Sequence, residues 1–242
     1  MTWLPKSAMV LAAGLGTRMR PLTDLVPKPL VRLQQKPLID HVLDRIADAG
    51  AEQAVVNVHH HADQIIDHMQ GRDRPRVLIS DERDGLLDTG GGVVKALPML
   101  GEEPFLIHNS DSTWVEGVQP NLIRLARSFD PERMDALLLL ALASGSIGYE
   151  GRGDFMMSPD GLLKRRPERE LVPFVYSGVC IVHPRLFANA PEGPFSLNLL
   201  FDRAIEQRRL YGIRLDGIWL HVGTPAALAE ADQLFHGSYA AA

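Results

Sequence analysis

The segment Ala13-Gly14-Leu15-Gly16-Thr17-Arg18, followed by Pro27-Lys28-Pro29, holds residue types that bind polyanions. Glycines let backbone N–H groups crowd against phosphate oxygens, and Arg18 and Lys28 add fixed cations within reach of the same group. The flanking prolines hold Lys28 extended, a constraint that a solvated surface lysine does not need. A triphosphate would fit such a loop; an ordinary glycine turn is the competing reading. Two better-known phosphate loops are excluded by spacing. The P-loop needs Gly-Lys-Ser/Thr after four intervening residues, and the dinucleotide fingerprint needs a third glycine where Met19 stands.

Downstream, Phe105-Leu106-Ile107-His108-Asn109-Ser110-Asp111 places a carboxylate just past an apolar strand, where ligands gather in open α/β sheets. Asp111 is therefore a candidate Mg²⁺ ligand, since that ion takes one or two carboxylates plus substrate phosphates; a helix N-cap is the alternative. Gly90-Gly91-Gly92 would let the chain pass close to a nucleobase, with backbone groups near Leu86 to Gly90 reading its edge and Thr89 capping the following helix. An ordinary helix-starting turn competes. His59-His60-His61 does not converge on one ion if successive side chains at a strand end point to opposite faces. Asp81, Glu82 and Asp84 read as a solvated acidic loop.

These residues need elements to hold them. Apolar runs and amphipathic stretches alternate: strands at 8–12, 54–58, 77–79, 105–108 and 135–142, with helices at 39–49, 62–69, 92–97 and 121–129. That alternation predicts a mainly parallel sheet covered by helices. Residues 144–174 break the pattern, being rich in Gly, Pro, Arg and Asp, and read as an inserted substrate lobe. A strand returns at 175–182, then helices at 184–187 and 197–207, a strand pair at 211–215 and 218–222, and a last helix at 225–235. The closing Ala240-Ala241-Ala242 is expected to fray. With no repeat or low-complexity linker, residues 1–242 read as a single domain.

The chain has 242 residues, 45% hydrophobic and 23% charged, enough for a full core without staples. A net charge of −5 counts against nucleic acid and anionic membranes as partners. Cys180 is the only cysteine, which excludes a disulfide framework or a multi-cysteine zinc site. The longest apolar run, Ala136 to Ala143, is far short of the ~20 residues that cross a bilayer, and the N-terminus lacks a signal-type apolar region. A soluble, cytoplasmic protein that can work as a monomer is expected.

In order, Gly14-Leu15-Gly16-Thr17-Arg18-Met19-Arg20-Pro21-Leu22-Thr23 and then Pro27-Lys28-Pro29 resemble the signature of the sugar-1-phosphate nucleotidyltransferases. The resemblance runs over nearly the whole chain. It implies a Rossmann-like α/β fold with helices on both faces of the sheet and a small sugar-binding lobe. It implies nucleotide contacts from Leu11, Ala12, Ala13, Gly14, Gly16, Thr17, Thr89 and Gly90, and catalytic roles for Arg18, Lys28 and Asp111. Asp111 would hold Mg²⁺. Asn109, Asp154, Gly178 and His221 would meet the sugar phosphate, with Arg165 or Arg166 as further candidates. Two positions depart from the pattern: Ser110 replaces the glycine before the metal carboxylate, and His221 stands where a second carboxylate is normal. Imidazole is a poor Mg²⁺ ligand, which favours a phosphate or water contact for His221 over metal ligation or a purely structural role.

Within the family, Asp88-Thr89-Gly90-Gly91-Gly92, Gly153-Asp154-Phe155 and Tyr176-Ser177-Gly178 are most similar to uridylyltransferases of N-acetylmuramate 1-phosphate, which serve cell-wall recycling. The implied partners are UTP and a sugar 1-phosphate. The implied reaction is in-line attack of the sugar phosphate on the α-phosphorus, with Mg²⁺ bridging the phosphates and Arg18 holding the departing pyrophosphate. Mannose guanylyltransferase and phosphocholine cytidylyltransferase activities are the close alternatives. A nucleotide-sugar sensor that has lost turnover is the non-enzymatic one.

Overall fold

The computed structural model describes residues 3–239, with side chains up to residue 234. The expectation for Ala240 to Ala242 lies outside the described residues. From the N-terminus come β1 (Ser7–Leu11), β2 (Arg32–Leu33), β3 (Lys36–Pro37), α1 (Leu38–Asp48), β4 (Gln53–Val58), α2 (Ala62–Met69), β5 (Arg76–Asp81), α3 (Asp88–Leu100) and β6 (Phe105–Asn109). The chain continues through β7 (Ser112–Glu116), α4 (Asn121–Ser128), β8 (Ala136–Leu142), β9 (Phe155–Met157), β10 (Leu163–Arg165), β11 (Phe174–Val182), α5 (Asn198–Glu206), β12 (Leu210–Arg214), β13 (Gly217–His221) and α6 (Pro225–Tyr239).

Nine strands make one sheet, whose long path runs β12-β8-β11-β6-β1-β4-β5. β6, β1, β4 and β5 are parallel, as are β8 and β12, while β11 runs antiparallel to both β6 and β8. The strands read as continuous apolar runs because each face carries a core. Along β1, Ala8 and Val10 join one buried cluster with Ile39, Val42 and Ile46 of α1, while Met9 joins the other with Val93 and Ala96 of α3. Side chains alternate across a strand, so in a sheet covered on both sides both sets face a core and few positions are left for polar residues. A third cluster packs Met19 with Val31, Leu33, Leu220 and Val222, which pins the loop after β1 to the end of β13.

Two expectations need correction, and two features escape the sequence. Lys28 does not lie extended between its prolines but opens a 3-10 turn, Lys28–Leu30. The strands at 210–214 and 217–221 do not pair with each other: β12 joins β8 in the main sheet and β13 pairs with β7. β7 escapes a sequence reading because Ser112-Thr113-Trp114-Val115-Glu116 opens and closes on polar residues. The stretch 144–174 contains the hairpin of β9 and β10, which joins the main sheet through Phe155 and Phe174. Among the described residues, no helix is long and apolar enough to cross a membrane.

Candidate active site

The parallel strands end on one edge of the sheet, and a cavity of about 470 Å³ opens there. Leu11, Ala12, Ala13, Gly14, Gly16, Lys28, Thr89, Asn109 and Asp111 line it, together with Asn57, Leu86 and Asp88. Lys28 Nζ donates to Asp111 Oδ2 at 2.5 Å across this space. Burial alone would raise the Asp111 carboxyl, but the charge and hydrogen bond of Lys28, with a smaller part from His221, outweigh it and hold the carboxyl below its ordinary value. Asp111 is therefore an anion at neutral pH. Gly16 sets this geometry: at φ +63° its missing side chain leaves room for Thr23 Cγ2 and Lys28 Cβ, 3.0 and 3.1 Å from where a Cβ would stand.

Thr17 and Arg18 lie exposed on the turn after the glycine loop. Among the described residues, no side chain or carbonyl pairs with the Arg18 guanidinium, so its fork is available to an anion. His221, at the end of β13, faces Ser112 across the strand pair, next to Asp111. Burial lowers its pKa, Arg18 and Lys28 add to that effect, and Asp111 opposes it, so the imidazole is neutral at pH 7.

Beneath the loop runs a buried polar network. The amide of Ala12 donates to Asn57 Oδ1 at 2.7 Å, Asn57 Nδ2 donates to Glu82 Oε1 at 2.7 Å, and Leu87 N donates to Glu82 Oε2 at 3.1 Å. Glu82 is fully buried, so it does not belong to a solvated acidic loop; Asp81, by contrast, pairs with Arg83 near the surface. The signal was available in part, because Asn57 interrupts the apolar run Ala54-Val55-Val56-Asn57-Val58. Gly90, Gly91 and Gly92 form the buried first turn of α3. The Gly90 amide donates to Phe195 O at 2.8 Å, so it is not free to read a base. Thr89 does not cap the helix either, since its hydroxyl accepts from Leu197 N at 2.9 Å.

On the other side of the cavity, Gly178 lies at φ +84° where β11 slips register against β8. A Cβ there would stand 2.6 Å from Asn109 Nδ2, so the glycine lets the end of β6 approach β11. Asp154 Oδ2 accepts from the Tyr176 amide at 2.9 Å and fixes the lobe to the same strand. Arg165 and Arg166 do not meet at the cavity: Arg165 binds Asp202 and Asn198, and Arg166 binds the carbonyls of Gly153, Pro167, Glu168 and Glu170.

The sequence pattern of the nucleotidyl transferase family matches residues 7–138. This chain belongs to that family. It is 47% identical to the N-acetylmuramate alpha-1-phosphate uridylyltransferase of Caulobacter vibrioides, over 96% of this chain and 98% of that one. It is 37% identical to the protein of the same name from Neisseria meningitidis, over 94% and 97% of the two chains. In fold it is similar to a UDP-glucose pyrophosphorylase crystallised with UDP-glucose, at a TM-score of 0.78, 15% identity, and 96% and 99% coverage.

In this nucleotidyl transferase the histidine run is structural in its visible contacts. His59 Nδ1 donates to Glu82 O at 2.7 Å, and the His60 and His61 rings lie 4.0 Å apart. They are neighbours and do not point to opposite faces as expected, because the chain has left β4 and His61 turns at φ +51°.

Proposed function

We propose that this nucleotidyl transferase moves UMP from UTP to N-acetylmuramate 1-phosphate, releasing pyrophosphate and forming a UDP-sugar, as a step of cell-wall sugar recycling in the cytoplasm. The observation that carries the reading is the ionised pair of Asp111 and Lys28 facing the glycine loop in one cavity of about 470 Å³, a volume suited to a nucleotide. The two uridylyltransferase relatives support the choice of base and sugar.

The chemistry then asks little of acid–base groups. The sugar phosphate is already anionic at neutral pH, so the protein's task is to align two anions and offset their repulsion. Backbone groups of Ala13 to Gly16 would cradle the triphosphate, with the Ala12 amide held by Asn57, Lys28 would sit between the two substrates, and the free fork of Arg18 would hold the pyrophosphate as charge builds on it. The neutral His221 would donate one N–H to phosphate or water. Asn109, Gly178 and Asp154, joined along β11, would face the sugar, with 144–174 as the substrate lobe. Thr89 lines the nucleotide side; Gly90 serves it indirectly, by packing.

Asp111 is the residue that would hold Mg²⁺. A single ionised carboxylate at the cavity wall fits that ion, because Mg²⁺ completes its shell with waters and substrate phosphates; among the described residues no group of three acidic, histidine or cysteine side chains forms an all-protein cage. When bound, the ion would supply charge that offsets the phosphates.

A screen of nucleoside triphosphates against sugar 1-phosphates, read by pyrophosphate release, tests the proposal. UTP with N-acetylmuramate 1-phosphate should be fastest and dTTP second. Faster turnover of GTP with mannose 1-phosphate would move the enzyme to the guanylyl reading, and nucleotide binding without pyrophosphate would make it a sensor.

A further inference from the structure

A second cavity, of about 440 Å³, opens on the opposite edge of the sheet from the nucleotide site. Asp135 precedes β8 and Arg209 precedes β12, where those parallel strands begin, whereas the nucleotide cavity lies where β1 and β6 end. Three guanidinium groups, Arg185, Arg203 and Arg209, line this hollow with one carboxylate, Asp135. Like charges gathered around open space repel one another, and a protein with a net charge of −5 has acids to spare for neutralising them. One Asp135 oxygen serves two of the arginines, with Nε of Arg185 at 2.5 Å and Nε of Arg209 at 2.7 Å.

The forks are also held in place. Arg185 donates to Met134 O at 2.7 Å, Arg209 to Glu132 O at 3.1 Å and Arg203 to Asn189 O at 3.0 Å. Backbone carbonyls take part of each fork, and among the described residues every one of the three keeps an N–H group with no protein partner. Fixed, partly free guanidinium groups around a concave space suit the planar, multidentate geometry of a phosphate, and little side-chain entropy remains to be lost on binding. Leu200 and Ala204 give the hollow an apolar wall against which the rest of a small molecule can lie.

We propose that this cavity binds a phosphorylated small molecule, at a site separate from the one that handles the nucleotide. Calorimetric titration of the whole protein with inorganic pyrophosphate tests this, with UTP added to fill the nucleotide cavity. In the presence of saturating UTP the wild type should still bind pyrophosphate. The Kd of that event should rise at least tenfold in Arg203→Gln and recover in part in Arg203→Lys, with UTP affinity unchanged within twofold. Arg203 is the clean variant because it does not hold the buried Asp135, and an unchanged melting midpoint shows that the fold survives. Displacement of all pyrophosphate by UTP at a stoichiometry of one UTP per chain would overturn the site, as would a residual event indifferent to Arg203→Gln. Sulfate binding as tightly as pyrophosphate would overturn the phosphorylated ligand. Since the readout is binding outside the UTP cavity, failure here leaves the uridylyltransferase reading standing, and failure of that reading leaves this site standing.

Discussion

Two clusters of glycines, one lining the nucleotide cavity and one packed behind its wall, do opposite work. At Gly14, the place where a Cβ would stand has nothing within 4 Å. At Gly90, Gly91 and Gly92 it meets the Phe195 ring at 2.2 Å, the Gly193 carbonyl at 2.4 Å and the Glu82 carboxylate at 2.7 Å. The first cluster keeps backbone open to a ligand; the second closes the wall behind it. A run of glycines therefore does not identify the ligand-facing loop by itself. The neighbouring residues separate the two: Arg18 and Lys28 come after the open loop, and the apolar helix face of Val93, Ala96 and Leu100 comes after the packed one.

The open side should fail in chemistry with the fold intact. Asp111→Asn keeps the shape of the side chain and removes its charge, so kcat/KM for pyrophosphate release should fall roughly 1,000-fold, or about 4 kcal/mol. The melting midpoint should hardly move. Near-normal turnover would remove Asp111 from the reaction and blur the division between the two sides.

The packed side should fail in stability. Gly→Ala inside an exposed helix gains up to about 1 kcal/mol from propensity alone. Gly91→Ala should reverse that sign, because the new methyl meets a backbone carbonyl that cannot swing aside, and overpacking costs about 1–3 kcal/mol. Urea unfolding reads it directly. A stabilised Gly91→Ala protein would mean that the turn is no tighter than an ordinary helix start.

The same division explains how much could be read from the sequence. The parallel strands and α1 were legible because their apolar period is local, and the open loop was legible because its cations lie within a few residues of its glycines. The packed wall was not. Glu82 sits among Asp81, Arg83 and Asp84, and only the distant Asn57 and the amide of Leu87 make it a buried residue. Gly90 is committed to Phe195, and β13 pairs with β7; both partners lie roughly a hundred residues away along the chain. Contacts of that separation leave no periodic trace.

His108 extends the packed side beneath Asp111 and gives it a pH signature. Burial drives its pKa down to about 3; the nearby charge of Arg45 adds to this, and a backbone bond to Asn109 only partly offsets it. In the unfolded chain the imidazole titrates near 6.5. Below that pH the unfolded state takes up a proton that the folded state refuses, so stability is lost progressively from about pH 6.5 down to about pH 3. At pH 5 the loss is on the order of 2 kcal/mol. His108→Leu should flatten this acid limb in urea titrations at pH 7 and pH 5, whatever its cost at neutral pH. An unchanged slope would show that the acid sensitivity arises elsewhere.

The smallest effects lie inside the open loop itself, where two glycines two residues apart should behave differently. Gly14 has open space at its Cβ position and no left-handed φ, so Gly14→Ala should leave stability within about 0.5 kcal/mol. Gly16 lies at φ +63°, where a side chain costs about 1–2 kcal/mol, and its methyl would press on Thr23 and Lys28. Gly16→Ala should therefore lose about 1 kcal/mol or more and also raise the KM for UTP, since the residue it displaces is the lysine paired with Asp111. Equal behaviour of the two variants would mean that the loop adapts as a unit. A larger effect at Gly14 would mean that a ligand, and not the protein, occupies the space beside it.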